Sequence, residues 1–197
     1  MTFLQPVTLA GDLVTLEPLA PAHVDGLAAA AADGELWNLW YTSVPHSEDM
    51  GAEIARRLDL QAEGVMLPFT ARRNDTGAII GMTTFMNVDA ANRRVEIGST
   101  WNAASAQRTG TNTESKLLLL HHAFDTLDCI AVEFRTHWLN QQSRAAIARL
   151  GAKQDGVLRS HSIARDGTLR DTLVFSIIAV EWPAIRSELR RRLAAHR

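Results

Sequence analysis

Gln107-Arg108-Thr109-Gly110-Thr111-Asn112-Thr113-Glu114 lies between a strand pattern and a long apolar helix pattern. Upstream, Arg94-Val95-Glu96-Ile97-Gly98-Ser99-Thr100-Trp101 alternates apolar with other side chains, the period of a pleated strand. Downstream, Leu117 to Leu120 and Phe124 form the apolar side of a helix predicted to run to about Leu127. A glycine-centred loop that opens a helix turns unpaired backbone N–H groups, and the positive end of the helix dipole, toward one point in space. Such a point holds an anion, and a diphosphate is its natural occupant. Gly110 lets the backbone approach the ligand because it has no Cβ, while Gln107 and Arg108 add donors at the mouth. The segment alone fits an ordinary glycine turn at a helix start equally well, so the rest of the chain must decide.

Around it, Leu13 to Glu17 reads as the first strand, closed by Pro18. Pro21 opens an Ala-rich helix from Ala22 to Ala32, and a Trp-rich stretch, Leu36 to Tyr41, follows. Ser47 is the expected N-cap of a second helix with Met50, Ile54 and Leu58 on one face. Leu67 to Arg73 and Ala78 to Asn87 read as strands joined by the turn Asn74-Asp75-Thr76-Gly77, and Asn92 to Thr100 is the next strand. After the loop and long helix come a strand from Ala131 to Trp138 and a helix opened by Asn140-x-x-Ser143. Gly156 to Ile163 and Thr168 to Ile178 form a hairpin through Arg165-Asp166-Gly167. Trp182, Ile185, Leu189 and Leu193 stripe a last, basic helix. The order β-α-α-β-β-β-α-β-α-β-β-α predicts an α+β fold with a mixed, mostly antiparallel sheet. The two strands joined through the long helix must be parallel, because a helical crossover connects them. A ligand crevice then belongs at their C-terminal ends, beside the Gly110 loop.

Composition narrows the function. At 197 residues and 46% hydrophobic, the chain is expected to form a single domain over residues 1–197. A net charge of −2 argues against nucleic-acid binding by general electrostatics. The single cysteine, Cys129, excludes an internal disulfide and any cysteine-based zinc cluster, which fits a reducing cytoplasm, and its place at a strand entry reads as an inert buried thiol. No apolar run approaches a membrane span, and the first residues lack a basic region followed by an apolar one. A soluble, cytoplasmic protein is the expectation. The scattered His46, His137 and His161 lack metal-ligand spacing, and His121 and His122 read as structural, so no metal is indicated.

The succession strand, Gln107-x-x-Gly110-x-Asn112 loop, helix, strand, Asn140-x-x-Ser143 helix closing on Arg149-Leu150-Gly151-Ala152 resembles the GNAT superfamily of N-acetyltransferases, most of all its RimJ/RimL-like branch. The family's loop reads Arg/Gln-x-x-Gly-x-Gly/Ala, so Asn112 departs from it. Its second landmark, Asn-x-x-Ser before a helix ending Leu-Gly-Phe, is matched except at Ala152. The resemblance runs from Leu16 to Ser176. It implies a GNAT-like sheet whose central parallel pair splays around an acyl-CoA site, with acetyl-CoA as cosubstrate. Carried over residue by residue, it puts Gln107, Arg108, Thr109, Gly110, Thr111 and Asn112 on the diphosphate. It puts Ile97, Gly98, Ser99 and Thr100 on the pantetheine amides and the nascent oxyanion, with Asn140 and Ser143 also on pantetheine.

Acetyl transfer from a thioester to an amine requires a neutral amine, a stabilised carbonyl oxygen, a protonated thiolate and alignment of the partners. Glu96 is the expected base: a carboxylate on a central strand is costly unless paired or functional, and burial raises its pKa toward neutrality. The competing reading makes it a strand-face partner of Arg93, Arg94 or Arg135, and Glu133 is the rival base. Many family members protonate the thiolate with a Tyr on the helix after the fifth strand, but Ala145 to Ala148 contains none. Ser143 is the expected donor, and a thiol of pKa about 8.5 does not strictly need one. Trp37, Trp40, Tyr41 and Trp138 are expected to line the acceptor side, with core packing as the alternative. Together these imply an acetyl-CoA-dependent N-acetyltransferase acting on a primary amine, either a protein N-terminus or a small molecule. The alternatives are a non-catalytic acyl-CoA-binding module, or a transferase using another acyl-CoA such as succinyl-CoA. No nucleic-acid or membrane partner is expected. The C-terminal stripe fits either a homodimer interface or packing on the protomer's own sheet.

Overall fold

The computed structural model describes residues 3–40, 42–164 and 166–195. Its eight strands are β1 (Leu9–Ala10), β2 (Val14–Pro18), β3 (Met66–Arg73), β4 (Ile79–Asp89), β5 (Arg94–Asn102), β6 (Ala131–His137), β7 (Lys153–Ile163) and β8 (Leu169–Ile178). They form one sheet in the order β1-β2-β3-β4-β5-β6-β8-β7. Only β5 and β6 run parallel, as the helical crossover requires. Strand β1 has no sequence signal, because two residues are too few to display a period.

Among the described residues five α-helices cover the sheet: α1 (Val24–Ala32), α2 (Met50–Ala62), α3 (Thr111–His121), α4 (Gln141–Arg149) and α5 (Trp182–Ala194). Neighbouring residues of a strand point to opposite faces, and β4 shows which helix lies where. Arg57 of α2 donates to Thr84 Oγ1, whereas Lys116 of α3 donates to Thr83 Oγ1, so α2 and α3 lie on opposite faces. Val14, Leu16, Phe69, Phe85, Phe134 and Leu173 fill the core between these layers. Ser47 does not cap α2. It starts a short 3-10 turn, and its hydroxyl donates to Ala28 O of α1 (3.0 Å), which ties the two helices together instead.

The crevice comes from strand divergence. Strands β5 and β6 pair at Arg94↔Ala131, Val95↔Val132 and Glu96↔Glu133, and no further. Beyond Glu96, β5 stays with β4 as far as Asn102, and β6 stays with β8 as far as His137. The gap opens just where α3 begins. The stripe of α5 packs on its own chain, with Trp182, Leu189 and Leu193 buried. The Trp182 ring stacks on Phe124 (5.5 Å) and its Nε1 donates to Asp125 Oδ2 (2.9 Å). Among the described residues no helix is long and apolar enough to cross a membrane.

One carboxylate fixes the start of α3. Glu114, buried in its first turn, accepts from Asp12 N (3.0 Å), Leu13 N (2.6 Å) and Val14 N (2.8 Å). A Cβ on Gly11 would stand 2.4 Å from Glu114 Oε2, so the glycine leaves room for this clasp. Glu114→Ala strands three backbone donors at once. At roughly 1–3 kcal/mol for a buried group left unpaired, partly recovered by water, we expect a loss of about 3 kcal/mol in urea unfolding. A loss below about 0.5 kcal/mol, within the range of ordinary surface changes, contradicts the clasp.

Candidate active site

The loop between β5 and α3 opens the helix through a glycine cap. Gly110 caps α3 at φ +86°, in the left-handed region, and Arg108 beside it has φ +63°. Glu114 N is the first to donate back, to Gly110 O (3.0 Å), which leaves the amides of Thr111, Asn112 and Thr113 without helical acceptors. The glycine's reason differs from the sequence expectation. A Cβ there would face Leu13 Cδ1 at 3.2 Å, toward the protein, so the residue is needed for its backbone angle rather than for room at a phosphate. The hydroxyls of Thr109 and Thr111 turn inward to Ala106 O (2.7 and 3.3 Å) and hold the loop's shape. Asn112 Oδ1 accepts from Asn102 Nδ2 (3.4 Å), which draws this side chain toward the end of β5.

From this loop a cavity of ≈ 910 Å³ runs through the gap between β5 and β6. Ile97, Gly98, Ser99 and Thr100 form its β5 wall, and Gln107, Arg108, Gly110 and Asn112 its mouth. The wall is irregular: Ser99 and Thr100 together oppose Thr83, a β-bulge in which Ser99 has φ +46°. Such a bulge re-aims backbone groups that a regular strand would spend on the ladder.

Glu96 lies at the point of divergence and is only 5% exposed. Asn87 Nδ2 donates to its Oε2 (2.6 Å). Arg135 Nε approaches the same oxygen at 3.4 Å, close enough for attraction but not aligned as a hydrogen bond. Of the three arginines weighed from the sequence, only this one reaches it, because Arg93 pairs with Asp128 and Arg94 with Glu133. Burial raises the Glu96 pKa above the ordinary carboxylate value, against Asn87 and Arg135, which lower it. For Glu133, burial also raises the pKa, but Arg94 and Arg135 outweigh it and hold this carboxyl below the ordinary value. Gly98 makes room for Glu96, since a Cβ there would stand 2.7 Å from Glu96 Oε1.

Asn140 caps α4 by accepting from Ser143 N (2.9 Å), and both side chains line the cavity. Trp37, Trp40 and Trp138 are not among the lining residues. Trp37 packs against the core and stacks on His46 (5.0 Å), Trp40 is 61% exposed with its edge on His137 (5.1 Å), and Arg144 covers the Trp138 ring (4.6 Å). Tyr41 lies outside the described residues. The same segment does contribute Leu36, Leu39, Thr42, Ser43 and Val44 to the wall.

Sequence reasoning missed Arg57, Lys116, Arg170 and the lining role of His137, which come together only through tertiary packing. Lys116 is 6% exposed, donates to Thr83 Oγ1 (3.0 Å) and Thr100 Oγ1 (2.7 Å), and has its pKa pushed down to about 7 by burial. The sign follows by linkage. Between about 7 and the ordinary 10.5 the unfolded chain holds a proton that the folded one lacks, so this site's contribution to stability rises with pH. The cost of burial is therefore complete below pH 7 and gone above 10.5. At about 1.4 kcal/mol per pH unit it is on the order of 5 kcal/mol. Lys116→Met should raise the unfolding midpoint of the ligand-free protein at pH 6 and lose that advantage toward pH 10.5. A gain that is constant with pH refutes the buried, easily discharged ammonium.

Known proteins bear on this geometry. Residues 14–153 match the family profile described as the Acetyltransferase (GNAT) domain. YdaF of Bacillus subtilis, which carries the provisional name ribosomal N-acetyltransferase, is 30% identical over 106 residues. That stretch is 54% of this chain and 57% of YdaF, so the match spans little more than half of that relative. The crystal structure of a GCN5-related N-acetyltransferase from Brucella melitensis superposes with TM-score 0.84 at 30% identity, over 96% of this chain and 86% of that one. Mycobacterium smegmatis RimJ, solved with CoA-disulfide, shares the fold at TM-score 0.77 and 24% identity, over 95% and 92% of the two chains. The profile match covers well over half of the chain, and it carries the conclusion: this protein belongs to the GNAT family of acetyltransferases, and its fold is the one seen in RimJ.

Proposed function

We propose that residues 1–197 act as one acetyl-CoA-dependent N-acetyltransferase domain that modifies a primary amine. The observation that carries this is one continuous cavity joining the free amides at the start of α3, the bulged open edge of β5, and a desolvated carboxylate at Glu96. In this reading the amides of Thr111 to Thr113 and the Arg108 side chain hold the diphosphate. Pantetheine lies in the β5/β6 gap, where it takes the place of a paired strand beside the backbone of Ile97 to Thr100. Glu96 takes a proton from the amine, directly or through water. The neutral nitrogen attacks the thioester carbonyl, and a bulge N–H stabilises the oxygen as charge develops. The C–N bond forms, the C–S bond breaks, and the Ser143 hydroxyl protonates the departing thiolate and is re-protonated by the second proton that the attacking nitrogen sheds. Asn112, the departure from the family's small residue, is compatible with this because its side chain is drawn toward Asn102.

The test is thiol release from acetyl-CoA and from succinyl-CoA with peptides, amino acids, polyamines and aminoglycosides as acceptors, backed by mass analysis of the products. Acceptor-dependent CoA release with a product 42 Da heavier, the mass of an acetyl group replacing hydrogen, supports the reading. Acetyl-CoA binding without release for any acceptor leaves the non-catalytic module in its place.

A further inference from the structure

Which amine enters is addressed by the charge on the acceptor side. Strand alternation sets the residues there: Glu96 is level with Glu133, so Arg135 and His137 follow along the same face of β6. His137 is level with Thr172 of β8, and Arg170 stands two residues beyond Thr172 on that face. All of these except Glu133 line the cavity. Among the described residues, the cavity's lysine and arginine lining is Arg57, Arg108, Lys116, Arg135, Arg149 and Arg170, and Glu96 is its one lining carboxylate. Arg108 and Arg149 belong to the diphosphate end, and Lys116 lies on the α3 face of the sheet. Arg57, Arg135 and Arg170 flank the acceptor end.

These three differ in how they are satisfied. Arg57 donates to Glu53 (2.6 Å) and Thr84 (2.9 Å), and its charge is matched within the protein. Arg135 donates to Glu133 through NH2 (3.1 Å), yet its buried Nε has no aligned acceptor. Arg170 has no carboxylate within 4 Å among the described residues, and its buried Nε has no hydrogen-bond partner at all. A buried guanidinium N–H left unpaired is costly, and a planar carboxylate is the group that fits its fork. Burial holds the Arg170 pKa below the ordinary value, with Glu96 close enough to oppose this. With Arg57 matched by Glu53 and Arg135 held by Glu133, Arg170 is the guanidinium at this end that has no ion-pair partner among the described residues.

We propose that Arg170, with Arg135 beside it, receives a carboxylate carried by the acceptor, so that the substrate is an amine with a carboxylate near it rather than a polycation. This rests on the acetyltransferase reading above. Two sources share the chemistry: the α-carboxylate of a free amino acid, and an acidic side chain close to a peptide N-terminus.

The experiment compares matched acceptors with the full chain and acetyl-CoA: amino acids against their amides, peptides with Glu against Gln at the second position, and spermidine and kanamycin as cationic amines. The carboxylate member of a pair should have the higher kcat/KM, by roughly 10- to 100-fold as expected for a charged hydrogen bond, mainly through KM. R170Q should raise that KM by a similar factor and so erase most of the preference within the pair, while any change in turnover through Glu96, which Arg170 faces, is common to both members. The pair with the larger effect identifies the source, and either one supports the inference. Spermidine or kanamycin acetylated as well as the best carboxylate, or R170Q affecting both members of a pair equally, overturns it while acetylation stands. No release from any acceptor by protein that binds acetyl-CoA overturns the acetyltransferase reading itself, and this inference with it.

Discussion

Glu96→Gln is expected to lower turnover by roughly 10²- to 10⁴-fold, the range lost with a general base, while acetyl-CoA affinity stays near the parent's. The substitution keeps shape and can keep the hydrogen bond to Asn87 (2.6 Å), but it removes the group that accepts the proton. Burial raises the Glu96 pKa, so the parent's kcat/KM should climb with pH as this carboxyl ionises. The deficit of the variant should shrink at high pH, where more of the acceptor amine is already neutral. The competing role has a separate signature. If Glu96 only offsets the charge of Arg135, 3.4 Å away, the Gln variant loses thermal stability and keeps most of its rate. Near-normal turnover at pH 7 removes Glu96 from the mechanism. Glu133 is poorly placed to replace it, since Arg94 (2.6 Å) and Arg135 (3.1 Å) hold it in an ion-pair cluster.

Gly110→Val is expected to weaken acetyl-CoA binding by about 10- to 100-fold. A β-branched residue at φ +86° costs on the order of 1–3 kcal/mol of backbone strain, and each 1.4 kcal/mol is roughly tenfold in affinity. Its Cβ would also press on Leu13, so the loop must move to relieve both. Asn tolerates the left-handed region, and Gly110→Asn should therefore bind better than Gly110→Val. Calorimetry on folded protein reads both constants. Equal losses for Asn and Val mean that Cβ contact, and not the backbone angle, governs this position. Unchanged affinity for Val removes the loop from the diphosphate site.

The sheet was largely legible in the sequence because β2 and β5 alternate and the turns at Asn74 to Gly77 and around Gly167, which bound the other strands, carry glycine at positive φ. The parallel pair followed from a connection rule applied to one helix. The expected loop and β5 wall line the cavity because both are continuous stretches whose backbone, not side chains, provides the chemistry. Side chains brought together from distant segments were not legible. Arg57, Lys116 and Arg170 come from α2, α3 and β8, and nothing local distinguishes them from solvated charges. Glu114 was read only as part of the loop, since its three partners lie about a hundred residues upstream. Leu36 and Leu39 of the Trp-rich segment line the cavity, whereas Trp37, Trp40 and Trp138 make other contacts.

Amide hydrogen exchange with and without saturating acetyl-CoA tests the central claim most directly, because it reads the backbone groups assigned to the ligand. Slower exchange confined to residues 97–100 and 108–113 is the predicted result. Acetyl-CoA that binds and protects another region, with these two segments unchanged, contradicts the account.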